Sequence, residues 1–483
     1  MRKLVILASA ATLSACNLAP RYHQPIAPVS AAFPEVQAGA RAANEIGWRE
    51  FFGDPRLQAY LAAALANNRD LAQSVARVAQ ARAQYRIQDA ERLPQLNLQA
   101  GASRTRQPAN LPALGSTPSP GGPAAITFEQ YNLGVQVPSF ELDFWGRVRN
   151  LSEAQRHQYL ATVEAERAFR LSLVGQVAAT YLQIRAGEEQ IALAERTLAS
   201  RQEGERIARR RLEAGVTSTV DHDQAVLLVT QAEAERAELR RTTSQAENLL
   251  TVLVGGPIDQ TLPSPRPLAD QGQFASIEPG LPSSLLANRP DILQVEQQLR
   301  GANADIGAAR AAFLPSISLT GLAGVVSPQL GELLNSGSRQ HQASSAALLP
   351  IFDWGRRDAL LKLSRARADE LVAAYQRVAQ GAFREVADAL IARQRYAEQI
   401  DAQTRAVVVQ RHLAQTARRR YDNGIAIYLE VADAERNLFA AEQQLLALRS
   451  AELQNGVSLY VALGGGLTET SHVAAQAANS TSY

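Results

Sequence analysis

The chain has 483 residues, 46% of them hydrophobic and only 6% aromatic, and its formal charge of +2 equals the contribution of Arg2 and Lys3 alone. Residues 16–483 are therefore neutral, which argues against nucleic acid as a partner, because that binding rests on neutralised phosphates. A single cysteine, Cys16, excludes a disulfide framework within the chain.

Residues 1–15 read as a signal peptide: Arg2 and Lys3, then an apolar stretch from Leu4 to Leu13 too short to span a bilayer. Cys16 follows Leu13-Ser14-Ala15, the bacterial lipoprotein pattern, in which the thiol takes a diacylglycerol and the amino group an acyl chain such as palmitate. The plainer alternative is an ordinary signal peptide beside a chance cysteine. Asn17 after the cysteine points to the outer membrane, and one lipid attachment needs a second membrane contact for stable anchoring. Pro20, Pro25, Pro28 and Pro34 mark residues 16–55 as a lipidated, extended arm.

The stretch 56–256 reads as one unit. A helix is predicted from Pro55 to Arg92, ended by Pro94. Period-two alternation predicts strands at about 95–103 and 128–142, separated by a Pro/Gly-rich loop over 104–126. A long helical hairpin follows at about 146–254. Its first helix carries Phe169, Leu173, Val177, Tyr181 and Ile184 on one stripe and would reach roughly 100 Å at 1.5 Å per residue. Gly215 stops that helix, and Ser218 and Thr219 start the next. Residues 257–287 form a connector.

Residues 288–465 then repeat these events. Leu93-Pro94 returns as Leu314-Pro315, Trp145-Gly146-Arg147 as Trp354-Gly355-Arg356, and Arg209–Arg211 as Arg418–Arg420. The second copy predicts a helix, strands at about 316–325 and 341–352, and a helical hairpin at about 356–463 that turns at Gly424. Residues 466–483 read as a disordered tail. The expected fold is mainly α with a small membrane β part and an internal two-fold sequence repeat. Four strands cannot close a membrane barrel, because open edges find no partners in lipid. Oligomerisation follows if the strands enter a membrane. The narrow apolar stripes of the long helices fit the wall of a hollow tube, wet on two faces and dry on its flanks.

No catalytic motif is present, and the chain reads as a non-enzyme. His23, His157, His222, His341, His412 and His472 lack metal-ligand spacing, so no metal site and no cofactor beyond the lipid on Cys16 is expected.

The stretch Pro279-Gly280-Leu281-Pro282-Ser283-Ser284-Leu285-Leu286, with Asn288-Arg289-Pro290-Asp291-Ile292 and Glu296, resembles the TolC-type outer-membrane efflux factors. The likeness is to their OprM-like (NodT-type) lipoprotein branch. Trp48 with Phe51-Phe52-Gly53-Asp54-Pro55, the two Trp-Gly-Arg segments, and Tyr428-Leu429 with Asp433-Ala434-Glu435-Arg436 support it. The resemblance implies a homotrimer whose strands form one twelve-stranded transmembrane β-barrel, continued by a periplasmic α-barrel. It implies a passive exit duct of a tripartite system, carrying drugs or other small toxic compounds from an inner-membrane RND-type pump through a periplasmic adaptor. It places the protein in the outer membrane, in contact with its lipid.

By that resemblance the periplasmic gate maps onto Leu429 and Asp433, four apart on one helix face, so that three copies would stack a leucine ring and an aspartate ring. Tyr421, Glu430 and Arg436 would add tip hydrogen bonds and ion pairs. Asp221 stands opposite Glu430 in the first repeat, and Ala426 occupies a position where some relatives carry an arginine. The plain alternative is that Asp433 and Glu430 only favour a helix N-terminus. Gly215 and Gly424 mark the tip turns where an adaptor hairpin would dock. Two rival readings are a duct for type I protein secretion and a non-pore structural envelope lipoprotein built of coiled coils.

Overall fold

Long helices and a small sheet account for nearly all regular structure. The computed structural model describes residues 17–30, 33, 41–108, 125–257, 262–271, 277–278 and 282–466. The signal peptide, Cys16, residues 109–124 and the tail beyond 466 lie outside the described residues. In chain order the main elements are α1 (Pro55–Asn67), α2 (Arg69–Ala90), β1 (Asn97–Pro108), β2 (Ala125–Glu141), α3 (Arg147–Glu213), α4 (Thr219–Val254), α5 (Pro290–Ala311), β3 (Ser316–Ser327), β4 (Arg339–Leu348), α6 (Arg356–Asp422) and α7 (Tyr428–Ala462). The helices α3 and α6 each contain 67 residues.

The chain divides into two compact units, each drawn from both halves of the sequence. One comprises residues 1–24, 79–161 and 296–373; the other comprises 25–78, 162–295 and 374–483. Segments from the two halves interleave, so the compact units are not successive stretches of chain.

The first unit holds the sheet, an antiparallel meander in the order β1-β2-β3-β4. Alternation gives it two faces. Leu98 and Ala100, Leu133 and Val135, Ala323 and Val325, and Ala343 and Ala347 share the mainly apolar one. Gln99, Asn132, Gln136, Thr320, Gln342 and Ser344 point the other way, and Thr320 and Ser344 join hydroxyls at 2.6 Å. Every side chain of β4 is exposed. The outer edges of β1 and β4 pair with no other strand among the described residues. In the same unit the arm runs antiparallel to α5: Tyr22 bonds Glu296 at 3.3 Å, Asn303 donates to the Pro20 carbonyl at 2.6 Å, and Arg310 donates to that of Leu18 at 3.0 Å.

The second unit holds the larger core, where Leu61, Leu182, Val177 and Tyr460 are fully buried. Each such side chain contributes about 1.5–3 kcal/mol. Tyr460 stacks on Phe51 with centroids 4.0 Å apart and donates its hydroxyl to the Ile46 carbonyl at 2.8 Å. Asp54 caps α1, accepting from the Arg56 N–H at 2.8 Å, and also accepts the Tyr181 hydroxyl at 2.6 Å and the Gln271 amide. Burial alone would raise this carboxyl; the hydrogen bonds outweigh it and hold Asp54 below the usual carboxylate range.

Several predicted boundaries change. The helix expected over 55–92 breaks at Asn68. Its backbone leaves the helical region (φ −59°, ψ 128°), and its side chain accepts from the Leu71 N–H at 2.8 Å and donates to the Leu253 carbonyl at 2.9 Å. Asn68 thus ends one helix and caps the next. β1 runs on to Pro108 through the predicted loop, held against β2 with Arg104 and Glu129 at 3.4 Å. β4 covers 339–348 and stops before Pro350, which has no N–H for a ladder. Arm residues 48–51 form a helical turn that buries Trp48 and Phe51, and connector residues 282–288 are helical. A two-residue parallel bridge joins 41–42 to 277–278. Among the described residues no helix is long and apolar enough to cross a membrane.

Candidate functional site

The tips of the two helical hairpins lie in the second unit, and both turn through a left-handed glycine. Gly215 and Gly424 each sit at φ 74°. The Val216 N–H reaches the Arg211 carbonyl and the Ile425 N–H reaches that of Arg420, each at 2.9 Å, which satisfies carbonyls a helix end leaves free. Val216, Ile425 and Ile427 are exposed at these turns.

A small core closes the tip from within. Ala208 of α3, Ala225 and Leu228 of α4, Tyr421 of α6, and Tyr428, Val431 and Ala432 of α7 are all buried together. The Tyr421 and Tyr428 rings meet edge to face at 5.2 Å. Neither hydroxyl has a hydrogen-bond partner among the described residues. Burial pushes the Tyr428 phenol up to about 12.

Around this core the polar contacts are weaker. Arg211 lies over the Tyr421 ring at 4.4 Å and donates to the Tyr421 carbonyl at 3.2 Å, tying α3 to α6. Arg420 faces Glu430 at 3.7 Å, and Asp433 pairs with Arg436 on its own helix at 2.9 Å. Both pairs are about half exposed, and such pairs contribute roughly 0–1 kcal/mol. Asp221 is occupied with the start of α4: the Thr217 hydroxyl donates to its carboxylate at 2.5 Å, and its N–H donates to Ser218 at 3.3 Å.

The residues singled out in the sequence thus fall into three places. Leu429 and Asp433 are exposed on α7 and point away from the tip core. Glu430 and Arg436 make exposed pairs, Glu430 to α6 and Arg436 within α7. Tyr421 is an internal packing residue whose ring and carbonyl engage Arg211.

The sequence reading missed a second polar cluster just behind the tip. Arg201 of α3 is buried, donates to the Leu228 carbonyl at 3.0 Å and lies over the Phe439 ring at 5.3 Å. Glu435 of α7 stands 3.9 Å from Arg418 of α6. Burial raises the Glu435 carboxyl above its ordinary value, with Arg418 and Arg201 acting in the opposite direction. Beside it a groove of about 800 Å3 opens between α3, α6 and α7, with Arg196, Arg411, Arg418, Arg419, Glu435 and Glu442 in its lining. A half-buried carboxylate inside a Glu/Arg-rich helix leaves little trace in sequence; the one hint was the position of Glu435 within the Asp433–Arg436 segment. Nothing here offers a nucleophile with a neighbouring base. Among the described residues no cluster of His, Cys, Asp and Glu has metal-binding geometry. What the tip offers is mechanical: a small apolar core under exposed, weak ion pairs.

Comparison with known proteins gives this geometry a context. The sequence profile of the family described as "Outer membrane efflux protein" matches residues 60–256 and 281–465. The chain is 40% identical over 482 residues to the probable efflux pump outer membrane protein TtgC of Pseudomonas putida, covering 99% of this chain and 98% of that protein. It is 40% identical over 472 residues to the cation efflux system protein CusC of Escherichia coli K12, covering 96% and 99%. Its fold is similar to the open state of the MtrE outer membrane channel of Neisseria gonorrhoeae, with a TM-score of 0.84 and 36% identity over 94% of this chain and 99% of that one. Profile, sequence and fold agree along nearly the whole length: the chain belongs to the outer membrane efflux protein family, whose members are transport channels of the outer membrane and not enzymes.

Proposed function

We propose that three copies of this outer-membrane efflux channel close one twelve-stranded barrel, the strands in lipid and the long helices continuing the bore into the periplasm as an α-barrel. The observation that carries the proposal is the four-stranded meander with one mainly apolar face, one mainly polar face and outer edges that are unpaired among the described residues. Such a sheet is satisfied in a bilayer only when its edges are paired and its polar face lines water. Matching features of the two chain halves, above all two 67-residue helices ending in glycine turns at the same φ, support an internal repeat that would give six similar wall segments.

In this reading the channel is the passive exit duct of a tripartite system. A periplasmic adaptor docks at the turns around Gly215 and Gly424, where apolar side chains stand exposed, and links the duct to an inner-membrane RND-type pump. Leu429 and Asp433 project into the bore and form the gate, with Glu430, Arg436, Tyr421 and Asp221 setting its rest state. The cargo is drugs or other small toxic compounds. CusC is named for cation efflux, but Met1 is the only methionine here, so no thioether series for a soft metal ion runs along the chain. Cys16 carries the lipid that holds the arm at the membrane.

Deleting the gene while its partner pump stays active should lower the inhibitory concentrations of several chemically unrelated compounds at least about fourfold; unchanged sensitivity would overturn the proposal. Labelled palmitate should enter the wild-type protein but not Cys16→Ser.

A further inference from the structure

The seam between β2 and β3 joins the two strand hairpins within one chain, and it is a template for a seam the single chain leaves unmade. Leu133 pairs with Val325, Val135 with Ala323 and Val137 with Gly321. Below the ladder the Leu142 N–H donates to the Ile317 carbonyl, and the Trp145 indole N–H donates to the Pro315 carbonyl, both at 2.8 Å. Hairpin one sets Gln136 opposite Asn97, and hairpin two sets Ala346 opposite Ser318. This fixes which positions correspond: β4 stands where β2 stands, and β1 stands where β3 stands. A bulge between Val137 and Phe140 gives β2 one residue more than β4 on the way to the tryptophan.

Each component of the template has an exposed counterpart with no cross-strand hydrogen bond among the described residues; the Trp354 ring meets only its neighbour Phe352, edge-on at 4.7 Å. Trp354 is 90% exposed, where Trp145 is half-buried and bonded, and its φ of 56° is an uncommon conformation for a bulky residue. Ile351, the counterpart of Leu142, is 91% exposed, and Leu96, the counterpart of Ile317, is 72% exposed.

We infer that β4 of one copy pairs with β1 of the next in the register carried over from the internal seam, locked by the Trp354 indole N–H donating to the carbonyl of Pro94 of the partner subunit. The pairs are Ala347 with Ala100, Ser345 with Ala102, Ala343 with Arg104 and His341 with Arg106 of the partner subunit. The Ile351 N–H donates to the carbonyl of Leu96 of the partner subunit. The register keeps the apolar face continuous across the seam, since all these side chains lie on it; a slip of one residue would turn one strand's apolar set to the wrong side. The inference rests on the trimeric reading above and adds to it the residues that decide how copies find one register.

Cysteine cross-linking of the full-length protein in outer membranes tests it, because Cys16 is the only native cysteine. Oxidised Ala100→Cys/Ala347→Cys protein should give a covalent ladder ending at trimer on non-reducing gels, while the single variants give none. Ala347→Cys combined with Leu98→Cys or Ala102→Cys should not link, because a two-residue offset carries the Cα atoms beyond the ~7 Å reach of a disulfide. A trimer that links through an offset pair and not through Ala100 overturns the register and leaves the trimeric reading standing. A wild-type protein that is monomeric in mild detergent overturns both. If the double variant fails to assemble, Arg106→Cys/His341→Cys, set by the same register, decides. Trp354→Phe keeps the ring and removes the donor. It should lower the temperature at which the trimer dissociates in detergent without changing the helix content of the chain; an unchanged dissociation temperature removes Trp354 from the seam.

Discussion

Asp433 and Arg436 face each other across one turn of α7 at 2.9 Å, and both remain about half exposed. The carboxylate proposed for the gate therefore brings its own cation. Three aspartates converging on one axis would repel, and an arginine one turn away from each lowers that repulsion. Asp433→Ala, Leu429→Ala and Arg436→Ala should each raise single-channel conductance in planar bilayers, the first two by removing the constriction and the third by freeing the carboxylates to repel. Thermal unfolding should hardly move, since an exposed pair contributes under about 1 kcal/mol. Unchanged conductance in all three variants would remove these residues from the gate.

Asp54 makes the opposite kind of contact, buried and saturated. Asp54→Ala removes a helix cap, at about 1 kcal/mol, and leaves the Tyr181 hydroxyl and the Gln271 amide without their acceptor, at about 1–3 kcal/mol more. The folded carboxyl sits below its ordinary value of 3.8, so its contribution is fully present above that pH and is lost as pH falls through the folded value. Thermal scans should show a large deficit for the variant at pH 7 that shrinks toward pH 3.

Glu435 has the reverse sign. Its folded value lies above 4.5, because burial outweighs Arg418 and Arg201. Its contribution is fully present below pH 4.5 and is lost as pH rises through the folded value, so the ionised carboxylate weakens the tip at neutral pH. Glu435→Gln should raise the unfolding temperature at pH 7.5, with the gain closing by pH 4. A lower unfolding temperature at pH 7.5 would show that the two arginines govern the site.

Two glycines with similar backbones should respond differently to alanine. At Gly424 a Cβ meets nothing within 4 Å, so the cost is the left-handed conformation alone, about 1–2 kcal/mol. At Gly255, φ 84°, a Cβ would lie 2.3 Å from the Asn67 carbonyl oxygen, a backbone atom that cannot swing aside. Circular dichroism melts should place Gly255→Ala several degrees below Gly424→Ala.

Helix and strand positions were largely legible because they rest on local periodicity and on punctuation by Pro and Gly. The break at Asn68 was not, since the residue both ends α1 and caps α2 while bonding Leu253, far along the chain. The tip was half legible. Its turns follow from Gly215 and Gly424, but the role of Tyr421 depends on Arg211, an arginine whose position in sequence suggested only a charge suited to a helix end. Glu435 escaped notice because its burial comes from helices that meet it only in space.

The amino-acid order alone made legible the two long helical hairpins, the alternating strands and the glycine turns, because each depends on residues within a few positions of one another. Tertiary structure decided which carboxylates are buried and which are exposed, that the strands form a meander whose outer edges are unpaired among the described residues, and that Trp145 donates to a carbonyl while Trp354 is exposed. Those outcomes depend on segments far apart in the chain, where burial and the pairing of backbone groups are set by what else arrives at the same place.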